Sequence, residues 1–318
     1  MTRITGLHHV TCIAGDPQEN LDFYTGVLGM RLVKRTVNQD EPTTYHLYYA
    51  DADGHPGCDL TFFLWTKDAP ARPGYGLAVE TSLEVPAGSL DYWAQRLQRY
   101  GVKTGMPETA FADRRLPFSD AHGVRLALVE RARPARRDFT PWDDSAVPAD
   151  RQIRGLHGAR LLEQSAERTS VFLTKVLGLG ALGRDGEWSR FGAGSLPGVV
   201  DIRQAAERQR GAWGVGTVHH LAWRVRNEEE QLAMREQLER SGSRLTPVID
   251  RHWFKSVYFR EPGGVLFEIA TDGPGFAIDE PIDRLGEQFV LPPWLEYQRG
   301  QLEATLPPLQ GPTARDQP

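Results

Sequence analysis

The chain has 318 residues, of which 40% are hydrophobic and 25% charged, and its formal net charge is −5. This composition is typical of a globular protein of about two domains and excludes a mainly disordered or collagen-like chain. The acidic balance argues against a nucleic-acid partner, and no apolar run approaches the ~20 residues that would indicate a membrane partner. The chain has only two cysteines, Cys12 and Cys58, and no N-terminal secretion signal, which predicts a cytoplasmic protein.

The predicted elements repeat four times in the order strand, amphipathic helix and several short strands. The four copies open at Leu7, Leu77, Leu156 and Val218. A glycine follows the predicted helix of each copy: Gly29, Gly101, Gly178 and Gly242. Because glycine readily adopts the left-handed conformation that ends a helix, this shared position supports a true repeat. The repeat length suits a βαβββ module and predicts an α+β fold.

In the first module, Asp16 and Pro17 predict the start of a helix that ends at Gly29. Its strands are predicted at Arg31–Val37, Thr43–Ala50 and Asp59–Trp65. In the later modules, helical spacing of apolar residues predicts helices over Leu90–Tyr100, Ala166–Leu177 and Glu228–Ser241. Each module ends in a predicted hairpin, and the last hairpin turns at Pro262-Gly263-Gly264.

These modules divide the chain into two halves, residues 1–130 and 153–272, each with two βαβββ modules. The segment 131–152 is rich in charge and proline, which indicates a surface linker. Residues 273–302 carry several large apolar side chains and are expected to pack on the body as a C-terminal arm. Residues 303–318 are expected to be disordered.

Two adjacent pairs of histidines occupy equivalent strands of the first and fourth modules. They are His8-His9 and His219-His220. Because side chains alternate across a strand, we expect one histidine of each pair to face the concave side of the sheet. The other should then face the helices. We place the equivalent pairs of the second and third modules at Ala78-Val79 and His157-Gly158.

A single carboxylate, Glu268, lies within an apolar strand of the fourth module. A buried glutamate is costly unless it is paired or bound to a cation. We place the equivalent positions of the other modules at Thr61 or Phe62, at Ala127 and near Ile202. A strand histidine is usually a hydrogen-bonded structural residue, but two equivalent pairs together with Glu268 favour a metal site. Two imidazoles and one carboxylate suit Fe(II) oxygen chemistry and also accept Zn(II), Mn(II), Co(II) or Ni(II).

Three segments carry a resemblance to a known family: LHHVT near the start, VHHLAW, and DRHWFKSVYFREPGGVLFEIATDGPGF. The chain resembles the vicinal oxygen chelate superfamily and, within it, the ring-cleaving dioxygenases that act on hydroquinones. The resemblance covers nearly the whole chain. It implies four βαβββ modules paired into two cup-shaped half-barrel sheets. Because the implied ligands come from the first and fourth modules, these two modules must share one cleft.

The resemblance also implies the site residues. The metal ligands correspond to His9, His220 and Glu268. The pocket and catalytic residues correspond to His8, Thr11, His219, Arg251 and Tyr258. The implied metal is Fe(II), and the implied partners are a small aromatic diol and O₂. By analogy with related proteins of two repeat pairs, a homodimer is expected.

The sequence leaves other functions open. A catechol-cleaving extradiol dioxygenase would share the same three ligands. A glyoxalase-type isomerase or lyase usually has a second glutamate among four ligands, and only Glu268 stands at a matching place. A non-catalytic binding protein would need no metal ligands. No role is assigned to His252 and Trp253. The implied pocket role of Tyr258 favours a three-residue loop in the last hairpin, which would pair Tyr258 with Glu268 on one face.

Overall fold

The structure is a computed structural model that describes residues 4–66, 69–131, 137–194, 196–206 and 208–311. The first two modules contribute strands β1 Leu7–Ala14, β2 Arg31–Val37, β3 Tyr45–Ala50, β4 Asp59–Leu64, β5 Leu77–Val85, β6 Glu108–Ala110, β7 Asp113–Ser119 and β8 Arg125–Glu130. The last two contribute β9 Gly155–Glu163, β10 Gly180–Asp185, β11 Trp188–Gly192, β12 Val199–Gln204, β13 Thr217–Val225, β14 Ile249–Asp250, β15 Lys255–Arg260 and β16 Leu266–Thr271.

The α-helices are α1 Pro17–Leu21, α2 Leu90–Arg99, α3 Ala166–Val171, α4 Glu228–Arg240 and α5 Arg299–Thr305. Two of them continue as π-helix, α1 over Asp22–Val27 and α3 over Phe172–Val176. Short 3₁₀ turns lie at Phe276–Ile278, Ile282–Arg284 and Glu296–Gln298. None of the described helices has the length and apolar composition needed to cross a bilayer.

The predicted helix ends are confirmed. The Asp16 side chain accepts hydrogen bonds from the backbone N–H groups of Gln18 and Glu19 at the start of α1. The four glycines that follow the helices have φ values of 67°, 70°, 72° and 83°, the left-handed conformation expected of them. The two π-helical segments were not predicted, because a stripe at helical spacing does not reveal a widened turn.

Two eight-stranded sheets form the body, and the predicted α+β fold of paired half-barrels is confirmed. The first sheet has the order β14-β15-β16-β13-β1-β4-β3-β2, and the second has the order β10-β11-β12-β9-β5-β8-β7-β6. The first module therefore pairs with the fourth, through antiparallel β1 and β13, and the second pairs with the third, through β5 and β9. Each sheet takes one module from each half of the chain.

One hydrophobic cluster joins residues of both sheets with the helices. Val10 and Trp223 of the first sheet belong to it, as do Leu83 and Leu156 of the second and Trp93 of α2, and none of them is more than 1% exposed. Because these side chains leave water completely, their burial is the main favourable term that fixes the sheets on each other.

The segments outside the modules are also held by specific contacts. In the interval 131–152, the Thr140 backbone N–H donates to Asp51, whereas residues 132–136 lie outside the described part. The arm packs through Leu291, Leu295 and Leu302, which are 3–7% exposed. Residues 303–311, expected to be disordered, are described here with Leu306 buried, and the rest of that tail lies outside the described residues.

Candidate metal centre

Both histidine pairs lie at β-bulges in the central ladder of the first sheet. In the pairing of β1 with β13, His8 is an extra residue between Leu7 and His9, and His219 is an extra residue between Val218 and His220. A bulge interrupts the alternation of side chains. Both rings of each pair are therefore in contact, with Nδ1–Nδ1 distances of 2.9 Å for His8-His9 and 2.8 Å for His219-His220. The expectation that the two histidines of a pair face opposite sides was wrong for this reason.

The structure brings His9, His220 and Glu268 together in a buried cluster. The Nε2 atoms of the two histidines are 3.2 Å apart, and Glu268 Oε2 lies 3.2 Å from His9 Nε2 and 3.0 Å from His220 Nε2. Adjacent donors on an octahedral ion with bonds of about 2.1 Å are separated by about 3.0 Å. Glu268 Oε2 is also buried, and it accepts no hydrogen bond from the part of the chain that the structure describes. The three donors therefore fit one divalent ion.

In each ligand histidine, the contact made by Nδ1 determines that Nε2 is the nitrogen available to bind a metal. Since Nδ1 of His9 and of His220 contacts the neighbouring histidine, an Nδ1–H can donate to His8 or His219 and leave Nε2 unprotonated. Burial lowers the pKa of His8, His219 and His220, so these imidazoles are neutral. Neutral imidazoles and an ionised carboxylate are the forms that bind metal.

Glu268 is held in place by its neighbours in the sheet. Strand β16 pairs Glu268 with Tyr258 of β15, which confirms the predicted hairpin register. The Ser256 hydroxyl donates to Glu268 Oε1 at 2.5 Å, so Oε2 remains directed at the histidines. Burial opposes ionisation of Glu268, but His9 and His220 outweigh it and keep its pKa well below the usual range.

A cavity of about 320 Å³ lies beside the ligands and includes His9 and His220 in its wall. Arg251 and Tyr258 line the same cavity, and Arg251 Nε donates to the Tyr258 hydroxyl at 3.3 Å. Asp40 accepts two hydrogen bonds from Arg251, at 2.9 and 2.8 Å, which fixes the guanidinium at the cavity wall. Burial, with a further contribution from Glu268, raises the pKa of Tyr258, so its hydroxyl stays protonated.

The other predicted site residues contact the ligand histidines without lining the cavity. Thr11 Oγ is 3.0 Å from His220 Nε2. His8 packs against Phe254 with ring centroids 5.1 Å apart, and His219 stacks on Trp213 at 4.2 Å. These residues support the ligands rather than line the cavity. His252 and Trp253 instead reach Asp279 of the C-terminal arm, at 3.3 and 2.8 Å.

Sequence reasoning missed His46 and Tyr48 of β3, which line the cavity. The Tyr48 hydroxyl lies 3.0 Å from His46 Nδ1, and His46 Nε2 lies 2.9 Å from Thr61 Oγ. Thr61 in turn contacts Thr11 at 2.7 Å, so a chain of polar groups runs from Tyr48 to the ligand side. Two polar residues at alternating positions of a buried strand could have indicated that this strand lines a polar cavity.

The second cup has different residues at the equivalent positions. Here the bulges fall at Val79 and His157, so the pair of the second module is Val79-Glu80 rather than Ala78-Val79. In the third module, Asp201 pairs with Arg160 as Glu268 pairs with Ala222, so Asp201 and not Ile202 corresponds to Glu268. Neither position could be fixed from the sequence, because each depends on the register with a neighbouring strand. The metal cluster of the first cup has no counterpart here among the described residues.

Comparisons with known proteins agree with this fold and site. The model of the Glyoxalase/Bleomycin resistance protein/Dioxygenase superfamily matches residues 6–128 and 155–269. MhqO of Bacillus subtilis (strain 168), named as a ring-cleaving dioxygenase, is 42% identical over 306 residues, 96% of either chain. The "Chlorohydroquinone/hydroquinone 1,2-dioxygenase" of Sphingobium indicum is 32% identical over 314 residues, again 96% of either chain.

A solved structure from Bacillus subtilis subsp. subtilis str. 168, named as a dioxygenase, superposes with a TM-score of 0.91 at 41% identity. The match covers 98% of this chain and 99% of that one. The chain therefore belongs to the glyoxalase/bleomycin resistance/dioxygenase, or vicinal oxygen chelate, superfamily. Within that superfamily it is an enzyme of the dioxygenase type.

Proposed function

We propose that this enzyme is an Fe(II)-dependent dioxygenase that cleaves the ring of hydroquinone-type diols with O₂. The observation that carries the proposal is the convergence of His9 Nε2, His220 Nε2 and Glu268 Oε2 beside a cavity lined by polar groups. Two imidazoles and a carboxylate on one side of an ion leave positions for substrate and O₂. The hydroquinone class is supported by the name of the Sphingobium indicum relative.

The donor set also accepts Mn(II), Zn(II), Co(II) or Ni(II), so the choice of iron rests on the oxygen chemistry of the named relatives. Iron held by these residues would supply the redox chemistry that allows O₂ to react with the diol. The position equivalent to Glu268 in the first module is Thr61, as the pairing of Thr61 with Thr11 indicates. The cup therefore has no second carboxylate ligand among the described residues, which disfavours the glyoxalase-type alternative.

Arg251 and Tyr258 are the groups that we expect to act on the substrate oxygens. The Asp40 carboxylate holds the Arg251 guanidinium at the cavity wall, where a permanent cation favours a deprotonated phenol. Tyr258, which accepts from Arg251, retains its own proton and can donate it in a hydrogen bond to a negative oxygen. Each group is preorganised before substrate enters.

The para arrangement suits a second group of polar residues in the cavity wall. A catechol carries both hydroxyls next to each other, whereas a hydroquinone has one hydroxyl far from the first. Asn38, His46 and Tyr48 line the cavity with polar groups. Burial lowers the pKa of His46, so this imidazole is neutral, and its ring nitrogens contact the Tyr48 hydroxyl and Thr61. It therefore orients the Tyr48 hydroxyl, which we expect to form a hydrogen bond with the second hydroxyl.

The two cysteines are free and buried, which suits the reducing cytoplasm where we place the enzyme. We expect a homodimer by analogy with related proteins.

The test is oxygen uptake by the protein loaded anaerobically with Fe(II), with hydroquinones and catechols compared side by side. We expect uptake that follows hydroquinone and yields a ring-opened product.

Glu268→Gln should lose most of its iron and its activity, because an amide oxygen is a neutral and weaker ligand. Iron content measured after desalting checks the ligand assignment independently of turnover.

The matched control is Asp201→Asn, which removes the carboxylate at the equivalent place of the second cup. This variant should keep its iron. Uptake with catechols alone would agree with the proposed metal site but would refute the hydroquinone substrate class. Full iron and activity in Glu268→Gln would refute the ligand assignment.

A further inference from the structure

The second cup contains a buried histidine with no partner. His157 is 3% exposed, and neither of its ring nitrogens has a hydrogen-bond partner among the described residues. It occupies a bulge of β9 like the one that holds His8 in the first cup. A buried polar group without a partner costs free energy, so its presence points to a ligand that completes it.

His157 lies in the wall of a cleft of about 990 Å³ that opens to solvent. Three arginines line this cleft, Arg131, Arg184 and Arg190, against one carboxylate, Asp113. After burial, the groups that lower the pKa of His157 are all arginines, beginning with Arg190 and Arg131. The wall of the cleft therefore holds more cationic than anionic side chains, which favours an anionic ligand.

The arginines differ in how much of their hydrogen-bonding capacity is already used. Asp201 accepts two bonds from Arg190, at 2.7 and 2.9 Å, so this guanidinium is fixed. In contrast, Arg184 forms no ion pair with any described carboxylate, and Arg131 reaches Glu84 only at 3.9 Å. Arg184 and Arg131 thus retain donors for an incoming carboxylate.

Apolar side chains form the rest of the wall. Phe111, Leu182 and Val199 line the cleft, and the Arg190 guanidinium lies 3.9 Å from the centre of the Phe111 ring. Phe111 and Ala112 have φ values of 51° and 67°, a conformation that costs free energy for residues other than glycine. The turn between β6 and β7 thus holds an aromatic ring at the cleft in spite of backbone strain. Such strain tends to persist at functional sites.

We propose that the second cup binds a small aromatic carboxylate. Its carboxylate would pair with Arg184 and Arg131, its ring would lie against Phe111 and Leu182, and a polar atom would reach His157. A free inorganic anion would satisfy the arginines but leave the apolar wall uncovered, so the structure favours the organic anion. The site shares no residue with the metal centre and does not depend on the proposed ring cleavage.

The test uses 4-fluorobenzoate as the probe, followed by ¹⁹F NMR line broadening with the full-length protein. We expect saturable broadening with the wild type, binding about tenfold weaker in Arg184→Gln, and weaker binding in His157→Gln. Arg184 is exposed, so its replacement leaves the fold intact. Arg125→Gln removes an exposed arginine elsewhere on the same sheet and should bind as the wild type does.

Two further sets of measurements identify the chemistry of the ligand and the location of its site. Neutral 4-fluorobenzamide should not bind, and excess inorganic phosphate should not displace the probe. Binding should persist in metal-free protein and in Glu268→Gln, which separates this site from the metal centre. The proposal is overturned by absence of broadening at millimolar probe, by equal displacement with phosphate, or by loss of binding in Glu268→Gln.

Discussion

The two oxygens of Glu268 have different neighbours, and this difference sets how the residue can act. Oε1 accepts the Ser256 hydroxyl, whereas Oε2 faces His9 and His220. Both Ser256 and Glu268 have no exposed surface. Because the Ser256 hydroxyl already satisfies Oε1, the protein orients the carboxylate before any ion binds.

Ser256→Ala should therefore weaken metal binding without removing a ligand. Loss of the hydroxyl leaves Oε1 buried without its donor and lets the carboxylate rotate, and outer partners of this kind are worth roughly 10–100-fold in metal affinity. Competition with a chromophoric chelator measures the dissociation constant for Fe(II) or Co(II). Ser82→Ala, which removes a hydroxyl that donates to the Gly158 carbonyl in the second cup, is the control and should bind metal normally. An unchanged constant in Ser256→Ala would contradict the orienting role.

The residue pattern predicted a set of two histidines and Glu268, and the family resemblance selected His9 and His220 from the pairs. Neither indicated how the first histidine of each pair is placed. Alternation along β16 correctly puts Glu268 on the face of Leu266 rather than with Phe267. His8 and His219 depart from alternation because each is the extra residue of a bulge. A bulge depends on the pairing of two distant strands, and a local pattern cannot reveal it. His46 and Tyr48 were missed because their place in the cavity wall depends on where β3 lies in the folded sheet.

At the scale of elements, one buried carboxyl group from each sheet lies where the two sheets approach each other. Glu163 ends β9 of the second sheet, and Glu261 begins the turn between β15 and β16 of the first. Glu261 accepts bonds from Thr169 at 2.8 Å and from the Val265 backbone at 2.9 Å. A Cβ on Gly263 would lie 1.4 Å from Glu163 Oε2, so only glycine permits this approach. Burial and the Glu261 carboxylate raise the pKa of Glu163 to about 9.

This pair makes stability depend on pH. Because the folded state holds the Glu163 proton up to about pH 9 while the unfolded chain releases it near the usual pKa of 4.5, the folded state binds more protons between these values. The free energy of unfolding should therefore fall as pH rises through this window, by up to about 1.4 kcal/mol per pH unit. Glu163→Gln, which cannot ionise, should flatten this slope in urea unfolding between about pH 5.5 and 8.5, roughly the middle of that window.

Glu167→Gln tests whether the effect belongs to the buried pair. Glu167 is an exposed carboxylate at the start of α3, and its replacement should leave the slope as it is in the wild type. A slope in Glu163→Gln equal to that of the wild type would show that other groups set the pH dependence.

On the scale of the whole molecule, the C-terminal arm is tied to the first sheet through a buried lysine. Lys34 of β2 has no exposed surface and donates to Asp279 at 2.6 Å and to Glu280. Asp279 also accepts from Trp253 Nε1 at 2.8 Å, next to Phe254 of the cavity wall. Apolar residues at 273–302 predict that the arm packs, but its partner could not be predicted, because Lys34 is about 245 residues away in sequence.

Lys34→Met should destabilise the protein by about 3–5 kcal/mol, because it leaves Asp279 and Glu280 partly or fully buried without their cation. Urea unfolding gives the change in free energy, and the double variant Lys34→Met with Glu280→Leu should recover part of it by removing one of the stranded charges. Arg284→Met breaks an exposed pair with Glu287 in the same arm and should cost less than about 1 kcal/mol. If Lys34→Met were as mild as Arg284→Met, the arm would be held by its apolar contacts alone.

The same substitution should also affect activity, because Asp279 positions Trp253 beside Phe254 of the cavity wall. Oxygen uptake by Lys34→Met should therefore fall at urea concentrations below those that unfold the protein.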